Sequence, residues 1–263
     1  STSFYWGESA DVWLVKTDAW GNMEWGKTYG STDWGWAWAL VQTSDGGFAL
    51  AGSTSPYRIE SADVWLIKTD AYGDVKWNKT YGGPMYDGAS ALVQASDGGY
   101  AIAGLTYSYG AGGADIWFIK TDACGNMEWN KTYGGTDWDL ASALVKTSDG
   151  GYAIAGCTRS YGAGLCDVWL VKTDAWGNME WNKTYGGPGS DWASALVQAS
   201  DGGFAIACST SSYGAGSADI WLIKTDAYGN MEFPLATILV VLMALTTLTV
   251  AFVKKKLQRK PKT

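Results

Sequence analysis

Histidine is absent from all 263 residues. That removes both the commonest general base and the commonest metal ligand. Serine nucleophiles are left without a base partner, and no glycine-rich loop leads from a strand into a helix to cradle phosphate. A basic face is also missing. Before Pro234, 26 acidic residues stand against 13 basic ones, and all the remaining Lys and Arg follow it. So acidic a body repels phosphate backbones and excludes nucleic acid as a partner. Cysteine is sparse: Cys124, Cys157, Cys166 and Cys208 have no metal-ligand spacing, and three pairings are open. Cys157 and Cys166 flank one loop, where a local disulfide fits; free thiols at small-residue positions are the other reading. No metal and no cofactor is expected.

What is present is repetition. The phrase beginning Asp11-Val12-Trp13 returns at Asp63, Asp115, Asp167 and Asp219, 52 residues further on each time. Such self-similarity marks a supersecondary unit that buries its apolar face only by stacking on its neighbours. A residue repeated in every copy is therefore read as architecture, and one that changes between copies as a place for function.

One unit holds four short strands. Asp63 to Asp70 (strand a) is apolar and β-branched, as in a strand buried on both faces. Ala71-Tyr72-Gly73-Asp74 supplies a turn, and Val75 to Tyr81 (strand b) alternates. A loop of changing sequence, 82–88, leads to strand c, Ala89 to Gln94. Ser96-Asp97-Gly98-Gly99 is a hairpin signal, and strand d, Tyr100 to Gly104, is rich in small residues that would suit crowding near a central axis. Four antiparallel strands per 52 residues, with 17 Trp and 35 Gly in the chain, predict an all-β fold and a β-propeller blade per repeat. Four full units and a partial one are counted, starting at 11, 63, 115, 167 and 219. The surplus strand a would close the ring, or further blades precede it in a longer protein. Repeated rings such as Trp13, Trp25 and Tyr29 are read as packing between blades.

The order Asp-Gly-x-x-x-Ala-Gly, loop, Asp-x-Trp-Leu-x-Lys-x-Asp, Gly, aromatic, Tyr-Gly resembles the delta-sixty β-propeller repeat family. Asp97, Gly98, Ala103, Gly104, Lys68, Asp70, Gly73 and Tyr81 carry the likeness over residues 1–233, and it implies a propeller without naming a ligand.

Leu235 to Val253 is a run of 19 residues without a charge, followed by Lys254-Lys255-Lys256-Leu257-Gln258-Arg259-Lys260. Its length suits one transmembrane helix over 234–253, with a basic cytoplasmic tail at 254–263 and the repeats of 1–233 outside. Glu232-Phe233-Pro234, the apolar run and the basic cluster together resemble the PEF-CTERM anchors of archaeal surface proteins. Met231 stands where that pattern has Pro, which leaves open whether the tail is cleaved. The chain starts at Ser1 without Met, so a leader was removed or the sequence is the carboxy-terminal part of a longer protein.

Candidate ligand contacts lie in the b–c loops, where the copies differ: Trp34, Trp36 and Trp38 in the first, Tyr86 and Asp87 in the second, Trp138 and Asp139 in the third, Asp191 and Trp192 in the fourth. Flat rings beside carboxylates suit sugars, the ring stacking on C–H faces while the acid accepts hydroxyl hydrogens. They suit protein interfaces equally, and plugging the seams between blades is the structural alternative. Asn78, Asn130 and Asn182 each open a glycosylation sequon. Asp11 and Asp18 recur in every copy, which fits turn capping better than one active site. The expectation is a membrane-anchored surface module, without catalysis, that binds glycans or envelope proteins. A structural coat component is the alternative, and a polysaccharide-acting enzyme a more distant third.

Overall fold

The computed structural model describes residues 11–30, 34–55 and 61–232, with the side chains of Trp34 and Ser55 excepted. Alternating apolar and β-branched segments form five antiparallel sheets. The first pairs Val12–Thr17 (β1) with Met23–Tyr29 (β2). The second runs Trp34–Gln42 (β3), Phe48–Ser55 (β4), Asp63–Thr69 (β5), Val75–Tyr81 (β6). The third runs Asp87–Gln94 (β7), Tyr100–Thr106 (β8), Asp115–Thr121 (β9), Met127–Tyr133 (β10). The fourth runs Asp139–Lys146 (β11), Tyr152–Thr158 (β12), Asp167–Thr173 (β13), Met179–Tyr185 (β14). The last holds Asp191–Gln198 (β15), Phe204–Thr210 (β16) and Asp219–Thr225 (β17), with Met231 making one further bridge to Thr225.

Each sheet is offset by half a repeat from the sequence unit. It takes strands c and d from one copy and a and b from the next, so the b–c loop passes between sheets. Successive sheets stack face to face. Val64 and Leu66 of one sheet meet Trp117 and Ile119 of the next; Ile116 and Phe118 meet Trp169 and Val171; Val168 and Leu170 meet Ile223 and the half-buried Trp221. Both faces of strand a are therefore covered in the middle of the stack, and β9 and β13 are buried along their whole length. At the end of the stack Trp13 of β1 is exposed.

One expectation is corrected here. The closed propeller with a carboxy-terminal transmembrane helix is not what the structure holds. Among the described residues there are antiparallel sheets of two to four strands and no helix long and apolar enough to cross a membrane. The first and last sheets are not joined by strand pairing among the described residues. The surplus strand a, β17, is hydrogen-bonded to β16 as the third strand of its own sheet and pairs with no strand of the first sheet among the described residues. The run Leu235 to Val253 and the basic tail lie outside the described residues.

Strand d holds small residues where a c strand presses on it. The c strands β3, β7, β11 and β15 approach one another from sheet to sheet and come equally close to strand d of the preceding sheet. Each c strand carries a bulge, between Ala37 and Ala39, Ala89 and Ala91, Ala141 and Ala143, and Ala193 and Ala195. The bulge pushes its carbonyl against the neighbour, so a Cβ at Gly52, Gly104 or Gly156 would collide with the backbone oxygen of Trp36, Gly88 or Leu140.

Candidate functional site

A β-bulge leaves one residue unpaired and turns it out of the ladder. In the c strands that residue is Trp38, Ser90, Ser142 and Ser194 in turn. Three of them reach the same place. An open cleft of about 420 Å³ is lined by Trp38, Tyr86, Gly88, Ala89, Ser90, Leu105, Ala141 and Ser142. Trp38 is 66% exposed, so its ring is available to a ligand. The cleft thus offers one indole face, a phenol, two hydroxyls and an apolar floor, with no carboxylate or ammonium among its lining residues.

The other sequence candidates fall in several places. Tyr86 lines the cleft, and its ring meets Tyr107 edge-on at 6.4 Å. Tyr107 in turn meets Trp138 edge-on at 6.4 Å, so an unpredicted residue of the d–a loop links two predicted ones. Trp138 is partly exposed, and the Arg159 guanidinium sits 4.9 Å from its ring centroid, a cation–π contact that fixes the ring. Trp36 and Trp192 are half-buried on their strands, outside the cleft lining. The backbone of Trp34 pairs with Ser55, and its side chain lies outside the described part.

The three carboxylates are not beside the rings. Asp87, Asp139 and Asp191 are fully buried and hold the loop base. Their Oδ2 atoms accept from the N–H of Gly83, Gly135 and Gly187 at 2.8, 2.8 and 3.0 Å. The same oxygens accept from the hydroxyls of Ser108, Ser160 and Ser212 at 2.7, 2.6 and 2.6 Å. The expectation that these acids accept hydrogens from a sugar does not fit their burial.

Asn78, Asn130 and Asn182 are exposed on strand b at a sheet edge. The side-chain oxygens of Asn130 and Asn182 accept from the indoles of Trp117 and Trp169, both at 3.1 Å. Cys157 and Cys166 are joined in a disulfide with their Cα atoms 5.9 Å apart, across the loop between β12 and β13. Cys124 is an exposed thiol. Cys208 is buried, which pushes its thiol up to about 12.

Sequence reasoning missed the serines of the bulges and a second set of rings. Trp20, Tyr72, Trp176 and Tyr228 occupy one position of the a–b turn and are all strongly exposed, with Cys124 in the remaining copy. The signal was there: this position changes between copies while its neighbours repeat. Among the described residues no group of three His, Cys, Asp or Glu side chains could hold a metal ion.

No family model matches the chain. The regulatory protein FlaEY of Caulobacter vibrioides is 29% identical over 169 residues, which is 59% of this chain and 16% of that protein. The chain thus spans about a sixth of the length of the curated relative it matches. Two solved structures overlap it in part. Sqt1 from Chaetomium thermophilum gives a TM-score of 0.40 at 14% identity, over 73% of this chain and 43% of that one. A mannose phosphorylase from Leishmania mexicana, MPT-4 in complex with phosphate, gives 0.39 at 14% identity, over 73% and 69%.

Proposed function

We propose that the chain is a non-catalytic binding module for neutral glycans, with the bulge-lined cleft as its site. The observation that carries this reading is the convergence of Trp38, Ser90 and Ser142 on one open cleft without a charged lining. An exposed indole face stacks on the C–H side of a sugar ring, and the serine and tyrosine hydroxyls both give and accept hydrogen bonds. Glycosidic chemistry by the usual route needs two carboxyl groups flanking the bond. None lines the cleft, and the nearest acids of the b–c loops are consumed in holding the backbone. The disulfide and the exposed sequons support an extracytoplasmic setting.

Titration of the protein with neutral oligosaccharides tests the proposal. Trp38→Ala is expected to weaken binding at least tenfold, about 1.4 kcal/mol, and Ser90→Ala with Ser142→Ala to weaken it less. Equal affinity in Trp38→Ala, or no neutral glycan bound by the parent, would remove the cleft from the account. The second reading, a protein partner or a neighbouring coat subunit, rests on the exposed row Trp20, Tyr72, Trp176 and Tyr228. Alanine at those four positions would then abolish association and leave sugar binding alone.

A further inference from the structure

A pair of buried carboxyl groups recurs where one complete sheet meets the next. The first residue of strand a in one sheet and the first residue of strand c in the following sheet compose it: Asp63 with Asp87, Asp115 with Asp139, Asp167 with Asp191. The backbone ties the two together, since the N–H of Asp87, Asp139 and Asp191 donates to the carbonyl of the residue before each strand-a aspartate, at 2.7 Å in every case. Gly134 and Gly186 show how closely the side chains approach. A Cβ at Gly134 would collide with both Asp115 Oδ1 and Asp139 Oδ2, and one at Gly186 with both Asp167 Oδ1 and Asp191 Oδ2. Every member except Asp63 is at most 1% exposed.

The donors around these pairs leave one oxygen over in the central pair and two in each of the others. The Oδ2 atoms of Asp115 and Asp167 accept from the N–H of Ala111 and Ala163, both at 2.6 Å. The Oδ2 atoms of the strand-c partners are filled by the glycine and serine donors described above. Oδ1 of Asp63, Asp115 and Asp167 is buried and has no hydrogen-bond partner; the same holds for Oδ1 of Asp87 and Asp191, whereas Oδ1 of Asp139 accepts from the Thr158 hydroxyl.

Among the described residues no lysine or arginine forms an ion pair with any of the six. The titratable groups packed around them are the phenols of Tyr109, Tyr161 and Tyr213, which donate to the carbonyls of Gly82, Gly134 and Gly186. Cys208 is close enough to Asp191 to feel its charge. Asp137 and Arg159 flank the central pair along the chain, and the Arg159 guanidinium lies over Trp138 instead.

Two carboxylates this close and this dry repel each other when both are ionised. A metal ion is a poor remedy, because calcium wants six to eight oxygens and the Oδ2 atoms already face N–H and O–H donors. A proton fits. Placed on Oδ1 of the strand-a aspartate and donated to Oδ2 of its partner, it gives the unpartnered strand-a oxygen a bond and removes the repulsion. We propose that each pair holds one shared proton, so that adjacent sheets cohere in acid and loosen when the proton leaves. The first seam is a natural control: Gly35 stands where the later copies have Asp87, Asp139 and Asp191, so these two positions give that seam only the carboxyl of Asp11.

The sign follows from the direction of titration. Burial, and then the neighbouring carboxylate, raise Asp63 above its ordinary value of 3.8. Asp115 is raised too, by burial first and by Asp139, with the Ala111 N–H opposing. Stability from a raised group is complete below the unfolded-state value and is lost as pH rises through the folded one.

The test is the melting temperature of the whole chain from about pH 4 to about pH 8, for the parent and for the triple variant Asp63→Asn, Asp115→Asn, Asp167→Asn. Asparagine supplies a permanent N–H donor in place of the proton. The parent Tm is expected to fall as pH rises, and the variant's curve to be flatter and higher at the alkaline end. A parent curve that is flat or rising, or a variant with the parent's slope, would overturn the proposal. So would a Tm raised by added calcium in the parent but not in the variant, which would put a cation in the proton's place. If the triple variant does not fold, infrared spectra of the parent decide: a protonated carboxyl band must persist above about pH 5, and its absence ends the idea.

Discussion

At Gly104 the chain has no room for a side chain, although its φ is ordinary and its strand is regular. The carbonyl of Gly88, pushed out by the β7 bulge, occupies the space a Cβ would need. Backbone cannot swing aside as a flexible side chain can, so Gly104→Ala should overpack this seam. We expect a loss of about 2 kcal/mol, read as a lower urea midpoint at unchanged slope. In the last sheet the equivalent position is Cys208, which is accommodated in the core there. That sheet carries the same bulge, between Ala193 and Ala195, so the constraint lies in the local backbone approach at Gly52, Gly104 and Gly156 and not in the bulge as such. From sequence, the small residues of strand d were legible and their cause was not. A bulge adds one residue and so shifts the alternation by one, but the few residues on either side are too short a stretch to show the shift, so Trp38 reads as one ring among three.

The a–b hairpins and their joints show what the pattern of residues could specify. Turn chemistry and alternation located all four strands of a repeat, and the burial of strand a on both faces follows from its unbroken apolar run. The phase of the sheet was hidden because a periodic sequence looks the same wherever it is cut. Only the pairing of β4 with β5, and of its equivalents, shows that strand d continues into strand a within one sheet. Asp87, Asp139 and Asp191 were legible as special and misjudged in role, because a binary pattern assigns every acid to the surface. One joint between sheets was missed altogether. The hydroxyls of Tyr29, Tyr81, Tyr133 and Tyr185 donate to the carbonyls of Gly73, Gly125, Gly177 and Gly229, at 2.6 to 2.8 Å. Each glycine sits in the a–b turn of the following sheet, with a left-handed φ such as the 80° of Gly73. Burial pushes these phenols above their usual range, so they remain donors at any working pH. Tyr133→Phe should cost about 1 kcal/mol and, more tellingly, speed amide exchange in the turn 174–178 alone.

Across the whole molecule two sets of carboxyl groups pull stability in opposite directions with pH. The seam pairs favour acid. The second set sits at the c–d turns, where lysines of strand a, buried in all but the last sheet, meet aspartates: Lys68 with Asp45 at 3.0 Å, Lys120 with Asp97 at 2.6 Å, Lys172 with Asp149 at 2.8 Å, Lys224 with Asp201 at 2.6 Å. Partial burial pushes Asp149 upward, but the Lys172 ammonium, the Thr147 hydroxyl and the Gly151 N–H outweigh it and hold the carboxyl down to about 2. A lowered carboxyl contributes stability above its unfolded-state value and loses it as pH falls through the folded one. That window lies between the ordinary 3.8 of aspartate and about 2, below the window of the seam pairs. The two contributions therefore meet in a Tm maximum near pH 4, falling on both sides. Lys172→Met separates them. It replaces a lysine that is nearly fully buried and paired with both Asp149 and Glu180; removing one partner lowers stability, by an amount limited here because both carboxylates are about half exposed and keep their water. The acid-side fall should become shallower, because Asp149 no longer has an ammonium to lose, while the alkaline-side fall keeps its slope. A variant that flattened the alkaline side instead would trace both limbs to the lysine clusters and leave the seam carboxyls without a part in the pH response.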